Sequence, residues 1–423
     1  MLRYHMIATA ALLTASSAFA QLKPTDWPQF RGPGGQGVSA VKGLPTKWST
    51  TENLAWKTEL PGPGTSSPIV VGDKIFLTCF TGFGVPGQPR GDMDQLKMHL
   101  LALSRETGKI LWTTDVVPEL PEQAKIRDDH GYASSTPACD GERIYAFFGK
   151  TGAFAFDMDG KKLWKTPVGS ALNGFGSGAS PIVHGDLVII NASVESECLY
   201  GLDKKTGKEV WKAKGIKEAW NTPVIVPGKD GKPELVVGMP KKVVGFDPAT
   251  GEQLWSCDNE IGWYIVPSAV HGDGMLWSIG GRSGVAAVAL KLGGRGDVTK
   301  ANRLWTSNKG SNVSSPIFLD GHLYWMHDNL EVAYCADAKT GKIVWEERIP
   351  RAAQFYASPV LADGKLYFVS REGKTLVIAA KPKYELLETN DLHDRSTFNA
   401  SPAVAGSRLL LRSDKFLYCI GEK

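Results

Sequence analysis

Beyond residue 20 this 423-residue chain has no apolar run approaching the roughly 20 residues that a membrane-spanning helix requires. It also lacks a clustered basic face. Its 48 Lys and Arg are interspersed with 44 Asp and Glu for a net charge of +4, so the electrostatic footprint of a nucleic-acid binder is missing. There is no CxxCH haem-attachment motif, no nucleophile motif and no metal-ligand spacing. The Gly-rich stretch GGRSG, residues 280–284, has no strand-to-helix context and so does not read as a phosphate cradle. What the chain does hold is 47 Gly, 25 Pro and 13 Trp, a composition of frequent turns with aromatic packing between them, which points to an all-β protein.

The first 20 residues carry a separate signal. Arg3 and His5 precede the apolar run MIATAALLTASSAFA, and Ala18-Phe19-Ala20 before Gln21 is the small-residue pattern that signal peptidase reads. Residues 1–20 are therefore expected to be a cleaved signal peptide and the protein to be periplasmic or secreted. No Cys follows the cleavage position, so nothing supports lipid attachment there.

Two repeating signals organise the remainder. The first is a turn and a tryptophan: RETGKILW ending at Trp112, KKTGKEVW at Trp211, PATGEQLW at Trp255 and AKTGKIVW at Trp345. The second is a proline that introduces a short apolar strand and a Gly-Asp or similar turn, at Pro68, Pro137, Pro181, Pro223, Pro267, Pro316, Pro359 and Pro402. After a first interval of 69 these prolines recur every 42 to 49 residues, the period of a propeller array of four-stranded units. In the third unit the strands read SPIVHG, DLVIINAS, ECLYGLD and KEVWKAK. Asp203 is placed to cap the amides of its own turn and Gly207 to take a positive φ, so the third strand reverses into the fourth. Small side chains recur on the third strand at Ala102, Ala155, Gly201, Gly245, Ala289, Cys335, Ala379 and Cys419, as close sheet stacking requires.

The eighth unit lacks a fourth strand, and NLAWKTEL with Trp56 precedes the first unit. The spacing therefore predicts an eight-bladed β-propeller of four-stranded antiparallel blades over residues 48–423, its last blade completed by the N-terminal strand, with residues 21–47 as an N-terminal extension. In the seventh unit Leu386 or Leu387 stands where the outer-strand tryptophan is expected. These tryptophans read as devices that dock one blade on the next, each burying about 150 to 250 Å².

The units LYGLDKKTGKEVW and VVGFDPATGEQLW, the ASP strand entry and the opening DWPQFRGPGGQGVS resemble the PQQ-like (quinoprotein alcohol dehydrogenase-like) propeller superfamily over nearly all of the mature chain. That superfamily holds both pyrroloquinoline quinone (PQQ) dehydrogenases and non-catalytic proteins such as the outer-membrane assembly factor BamB, so the resemblance implies a fold and leaves the function open. It implies, for a dehydrogenase, PQQ beneath a disulfide of neighbouring cysteines and over a tryptophan floor, a Ca²⁺ held by Glu, Asn and Asp, and an Asp base. Here Cys79, Cys139, Cys198, Cys257, Cys335 and Cys419 include no adjacent pair. They read as buried free thiols, and no metal ligands or catalytic residues are carried over.

The irregular connections of such a propeller share one face, and the residues before each proline crowd the mouth of its channel. This places Tyr132, Phe175, Trp220, Trp263, Tyr264, Phe355, Tyr356 and Phe398 there, with Asn173, Asn221, Asn312 and Asn399 beside them. Arg282, Asp328 and Arg371 come from neighbouring loops, and His130, after Asp128 and Asp129, is the nearest approach to a general base. The insertion of residues 80–99 and the connection of residues 116–132 form a lid or rim. Aromatics beside amides suit a sugar-like or flat ligand, or a peptide loop. The expectation is an exported, monomeric, non-catalytic propeller binding a protein, peptide or glycan; the alternative is a PQQ dehydrogenase with Ca²⁺, Arg282 or Arg371 pairing with the quinone's carboxylates.

Overall fold

Each repeat folds as a meander because its turns are self-capped. In the third blade the Asp203 carboxylate accepts hydrogen bonds from the Lys205 and Thr206 amides at 3.1 and 2.7 Å. Gly207 at φ +73° then closes the turn by donating its amide to the Asp203 carbonyl at 2.8 Å. The computed structural model describes residues 22–126, 130–228, 231–351 and 353–422.

Eight antiparallel sheets result. The first holds Ile69–Val71, Lys74–Thr81, Lys97–Ser104 and Ile110–Val116, and the third holds Ile182–His184, Leu187–Ala192, Cys198–Asp203 and Glu209–Lys214. The eighth consists of Ala403–Ala405, Arg408–Arg412, Phe416–Ile420 and, from the other end of the chain, Leu54–Glu59. In that closure Trp56 pairs with Cys419 and Lys57 with Tyr418, so the eighth blade has its fourth strand and the two ends of the chain are joined in one sheet. All six cysteines are buried and unbridged.

The repeated tryptophan has a definite task. In the third blade Trp211 lies across Gly201, where a Cβ would come within 2.2 Å of the indole. Its Nε1 donates to the Pro248 carbonyl in the next blade's turn at 3.1 Å, and Gly251 of that turn admits the ring. The same bond runs from Trp56 to Arg105, Trp112 to Met158, Trp164 to Lys204, Trp305 to Ala338 and Trp345 to Lys381. Six blades thus insert an indole under the Thr-Gly or equivalent turn of the neighbour. Trp255 departs from the pattern because the inserted Gly-rich segment of the fifth blade replaces that turn. Its indole donates instead to the buried Glu234, which Arg295 neutralises from outside.

Two expectations about the repeat are corrected. In the seventh blade the small-residue position belongs to Val377, two residues before Ala379, and its outer-strand partner is Glu388, with Leu387 bulged out and Leu386 paired to Ile378. The missing indole arrives from the segment just ahead of the closing strand Leu54–Glu59. Trp48 stacks on Tyr367 at 6.3 Å, as Trp164 packs on Tyr145 at 6.1 Å, and its amide is fixed by Asn390 at 2.7 Å. In the fifth blade Pro267 sits two residues early, with Ala269 in the proline's place, and Ser268 takes the place that precedes the proline elsewhere.

Candidate functional site

The inner strands converge on an axial channel whose wall is built with a period of two. Residues immediately before the strand prolines form a collar: the Ser67 amide donates to the Thr136 hydroxyl at 2.8 Å, Thr136 to Ser180 at 3.0 Å, and Ser180 to Thr222 at 3.0 Å. On the other side the bonds run from Ser268 to Ser315, Ser315 to Ser358, Ser358 to Ser401, and Ser401 back to Ser67, at 2.9 to 3.0 Å. Between Thr222 and Ser268 the link differs, because the Ser268 hydroxyl donates to the Thr222 carbonyl at 2.9 Å. The collar is a closed ring, made possible because a hydroxyl recurs at the same height in every blade.

Extended backbone sends alternate side chains to opposite sides. The residues two before the collar therefore also face the lumen, and these include Trp220, Val266, Val313, Tyr356 and Asn399. The residues one or three before it turn into the blade interfaces, Asn312 excepted, which also borders the cavity. This parity sorts the sequence candidates. Phe175, Trp220, Tyr264, Arg282, Tyr356 and Asn399 line one cavity of about 180 Å³. Phe175, Trp220 and Tyr264 pack edge to face or tilted at 5.5 to 6.1 Å, the Arg282 guanidinium lies 5.6 Å over Tyr264, and the Trp220 indole donates to the Gly176 carbonyl. Across the mouth Arg371 covers Tyr356 at 4.4 Å and donates to Asn399 at 3.0 Å. Trp263, 43% exposed, stands on the rim.

Five candidates are corrected. Phe355 and Phe398 are wholly buried between blades. Asn221 spends its carboxamide on the Gly238 amide and carbonyl and on the Ile265 carbonyl. Asp328 is buried and holds the Asn312 amide from behind. Tyr132 packs on Phe80 at 5.3 Å and donates to the Gln123 carbonyl, which ties the rim segment down beside the channel.

The floor was not legible as a site. Residues of the N-terminal extension cross beneath the collar and bond to the inner strands, each time three residues past the collar position. Trp27 exchanges backbone bonds with Val70, and the Cys139 amide donates to the Pro28 carbonyl. The His271 amide donates to Gln36 and the Leu361 amide to the Gly37 carbonyl. Val38 and Ser39 continue in parallel with Leu361 and Ala362. The extension thereby sets Phe30 into the base of the cavity, making the channel blind. Beside Phe30, the buried Arg31 donates to the Gln36 and Pro316 carbonyls. Burial lowers its pKa to about 9, so it remains a cation at neutral pH.

His130 reaches the cavity wall with Nδ1 against the Ser134 hydroxyl and Nε2 against Gly178. Asp128 and Asp129, expected beside it, lie outside the described residues. The insertion after Phe80 meets the segment around Lys125 over a side cavity of about 330 Å³ that shares His130 and contains Asp414. Burial raises the Asp414 carboxyl to about 6. Asn312 lines the channel with its carboxamide oxygen unpartnered.

Among the described residues the cavity lining offers Asn312 and Asn399 and no Asp or Glu, and no three His, Cys, Asp or Glu side chains converge on a point. The described residues do not fit a quinone held by Ca²⁺.

Among solved structures the chain is similar to a europium-containing methanol dehydrogenase (TM-score 0.68, 13% identity, 95% of this chain and 98% of the other). It is similar also to BamB from Moraxella catarrhalis (TM-score 0.61, 15% identity, 88% and 97%), and at these identities the likeness speaks for fold alone. A tetrathionate hydrolase of Acidithiobacillus ferrooxidans is 24% identical over 384 residues, 85% of this chain, and the chain spans 65% of that relative's length. The model of the family described as outer membrane protein assembly factor BamB matches residues 33–193, 97–347 and 241–406. The chain, a PQQ-like propeller closed at one end of its axis, belongs to that family.

Proposed function

We propose that this protein is an exported, non-catalytic binding propeller that receives a group of a protein, peptide or glycan partner through its loop face into the blind channel. The observation that carries the reading is the channel itself. It is stopped below by Phe30 and walled by aromatic rings, amides, hydroxyls and Arg282, a set suited to holding a ligand, with no quinone-and-calcium donor set among the described residues. The leader-like residues 1–20 support delivery to the periplasm or the exterior.

Titration of the mature protein with PQQ and Ca²⁺, followed by tryptophan fluorescence and dye reduction with alcohols and aldoses, tests the reading. It expects no saturable signal and no turnover. Micromolar binding with dye reduction would replace it with the dehydrogenase reading.

The similarity to tetrathionate hydrolase brings a second reading, an enzyme acting on a sulfur oxyanion. The observation in its favour is the His130 ring engaged by Ser134 at the cavity wall. Consumption of tetrathionate by the purified chain, lost in His130→Gln, would establish it.

A further inference from the structure

The collar hydroxyls are half used. Ser67, Thr136, Ser180, Thr222, Ser315, Ser358 and Ser401 each accept one backbone N–H from the neighbouring blade. None of the seven donates its own proton to an acceptor among the described residues. A hydroxyl carries one donor proton and two acceptor lone pairs, so each retains an O–H to direct elsewhere. All seven are buried and all seven line the cavity. The eighth collar residue, Ser268, has turned its proton to the Thr222 carbonyl and does not line the lumen. The lumen is therefore encircled by donors in want of acceptors.

Charge acts in the same sense. Arg282 stands at the wall above the collar, over the Tyr264 ring, and forms no ion pair among the described residues. Below, Arg31 has no carboxylate partner among the described residues, and its Nη2 bonds the carbonyl of Pro316, one residue from the collar's Ser315. The described lining contains no carboxylate to oppose them. A small, low-dielectric hole ringed by O–H donors between two guanidinium groups is complementary to a group with several oxygen acceptors and negative charge.

From this we infer that the channel is an oxyanion seat: the group it receives is a sulfate, sulfonate or carboxylate, either free or carried by a larger partner, with the collar donating hydrogen bonds from below and Arg282 supplying charge from the side. The inference rests on the binding-channel reading and names the ligand chemistry of that site. The aromatic mouth then holds the body of a ring-bearing ligand while its acidic group reaches the collar.

The test is calorimetric titration of the mature protein, in a low-salt buffer, with sulfate, with D-glucuronate and with D-glucose as the neutral counterpart. Sulfate represents the free ion and glucuronate the same chemistry on a larger ring. Saturable binding of either anion, at least ten-fold tighter than glucose, is expected. Arg282→Gln should weaken it ten-fold or more. Ser358→Ala should weaken it three- to ten-fold, and because that change also deprives the Ser315 amide of its acceptor, a gain variant accompanies it. Val266→Thr adds an isosteric hydroxyl to the lumen wall and should tighten anion binding a few-fold. Glucose binding as tightly as glucuronate would overturn the oxyanion assignment and leave the binding channel standing. Heat from no probe, or anion binding unmoved by Arg282→Gln and Val266→Thr, would overturn it as well. PQQ binding with turnover would remove the underlying reading along with it.

Discussion

The two faces of the propeller solve opposite problems with the same strands. On the turn face the indoles of Trp56, Trp112, Trp164, Trp211, Trp305 and Trp345 each donate to a carbonyl of the next blade, and for the first five a glycine of the receiving turn gives the ring room. On the loop face the Asn312 carboxamide oxygen and one Glu195 oxygen are buried with no protein partner among the described residues, and the collar hydroxyls add donor protons; at the docking positions the counterpart is the indole N–H of Trp48, which meets no carbonyl. A buried polar group that goes unsatisfied costs stability, so such groups persist where something other than folding maintains them. The contrast teaches that one face of this molecule is spent on holding blades together and the other on holding something else.

Truncating the turn face should have the largest effect. Trp211→Ala is expected to lower unfolding free energy by about 3 to 5 kcal/mol in urea denaturation, since it empties a buried interblade site and strips a hydrogen bond. A loss under about 1 kcal/mol would break the comparison. Trp48→Ala comes next, at about 3 kcal/mol, since Trp48 fills the place of the indole that the seventh blade lacks. Leu387→Ala, at a bulged and exposed position, should stay within about 0.5 kcal/mol of wild type.

The loop face yields a pH effect of opposite character. Burial pushes the Glu195 carboxyl up to about 7, with the Ser177 hydroxyl bond opposing the shift. Its folded pKa lies above the unfolded value, so the native state holds the extra proton and stability falls as pH rises from about 4.5 through 7. Glu195→Gln should gain up to about 3 kcal/mol at pH 8 and nothing at pH 4, read from chemical denaturation at both values. An equal change at the two pH values would remove this part of the comparison. Smallest in stability and largest in binding, Tyr356→Ala should leave the unfolding midpoint within a few degrees and weaken any channel ligand about ten-fold by titration.

The blades were legible because their causes are local. Asp203, Gly207 and Trp211 lie within nine residues, so each repeat announces itself, and the pairing of Trp56 with Cys419 follows from counting strands. Trp48 was not legible, since the blade it completes is held by Asn390, 342 residues away, and no periodicity links them. Phe30 and Arg31 lie in a segment used once, which repeat arithmetic passes over. The aromatic candidates divide between cavity wall and blade interface for a simple reason. Rows such as QFYASP and TFNASP place two candidates side by side, and adjacent residues of extended chain face opposite ways, so Tyr356 and Asn399 reach the lumen while Phe355 and Phe398 do not. Counting back in twos from the hydroxyl before each proline would have separated them.

The eighth blade has a consequence for how the molecule forms. Leu54–Glu59 emerges early in synthesis and waits for Phe416–Ile420, so the circle stays broken until almost the entire polypeptide is present. During that wait a hydrogen-bonding margin is bare at each free end, open to strands of other molecules. Contacts of such long range also make for slow closure. The clasp that seals the finished ring is thus also its point of greatest exposure beforehand, and an added peptide with the sequence of residues 54–59 should compete for the vacant position and stall the last step.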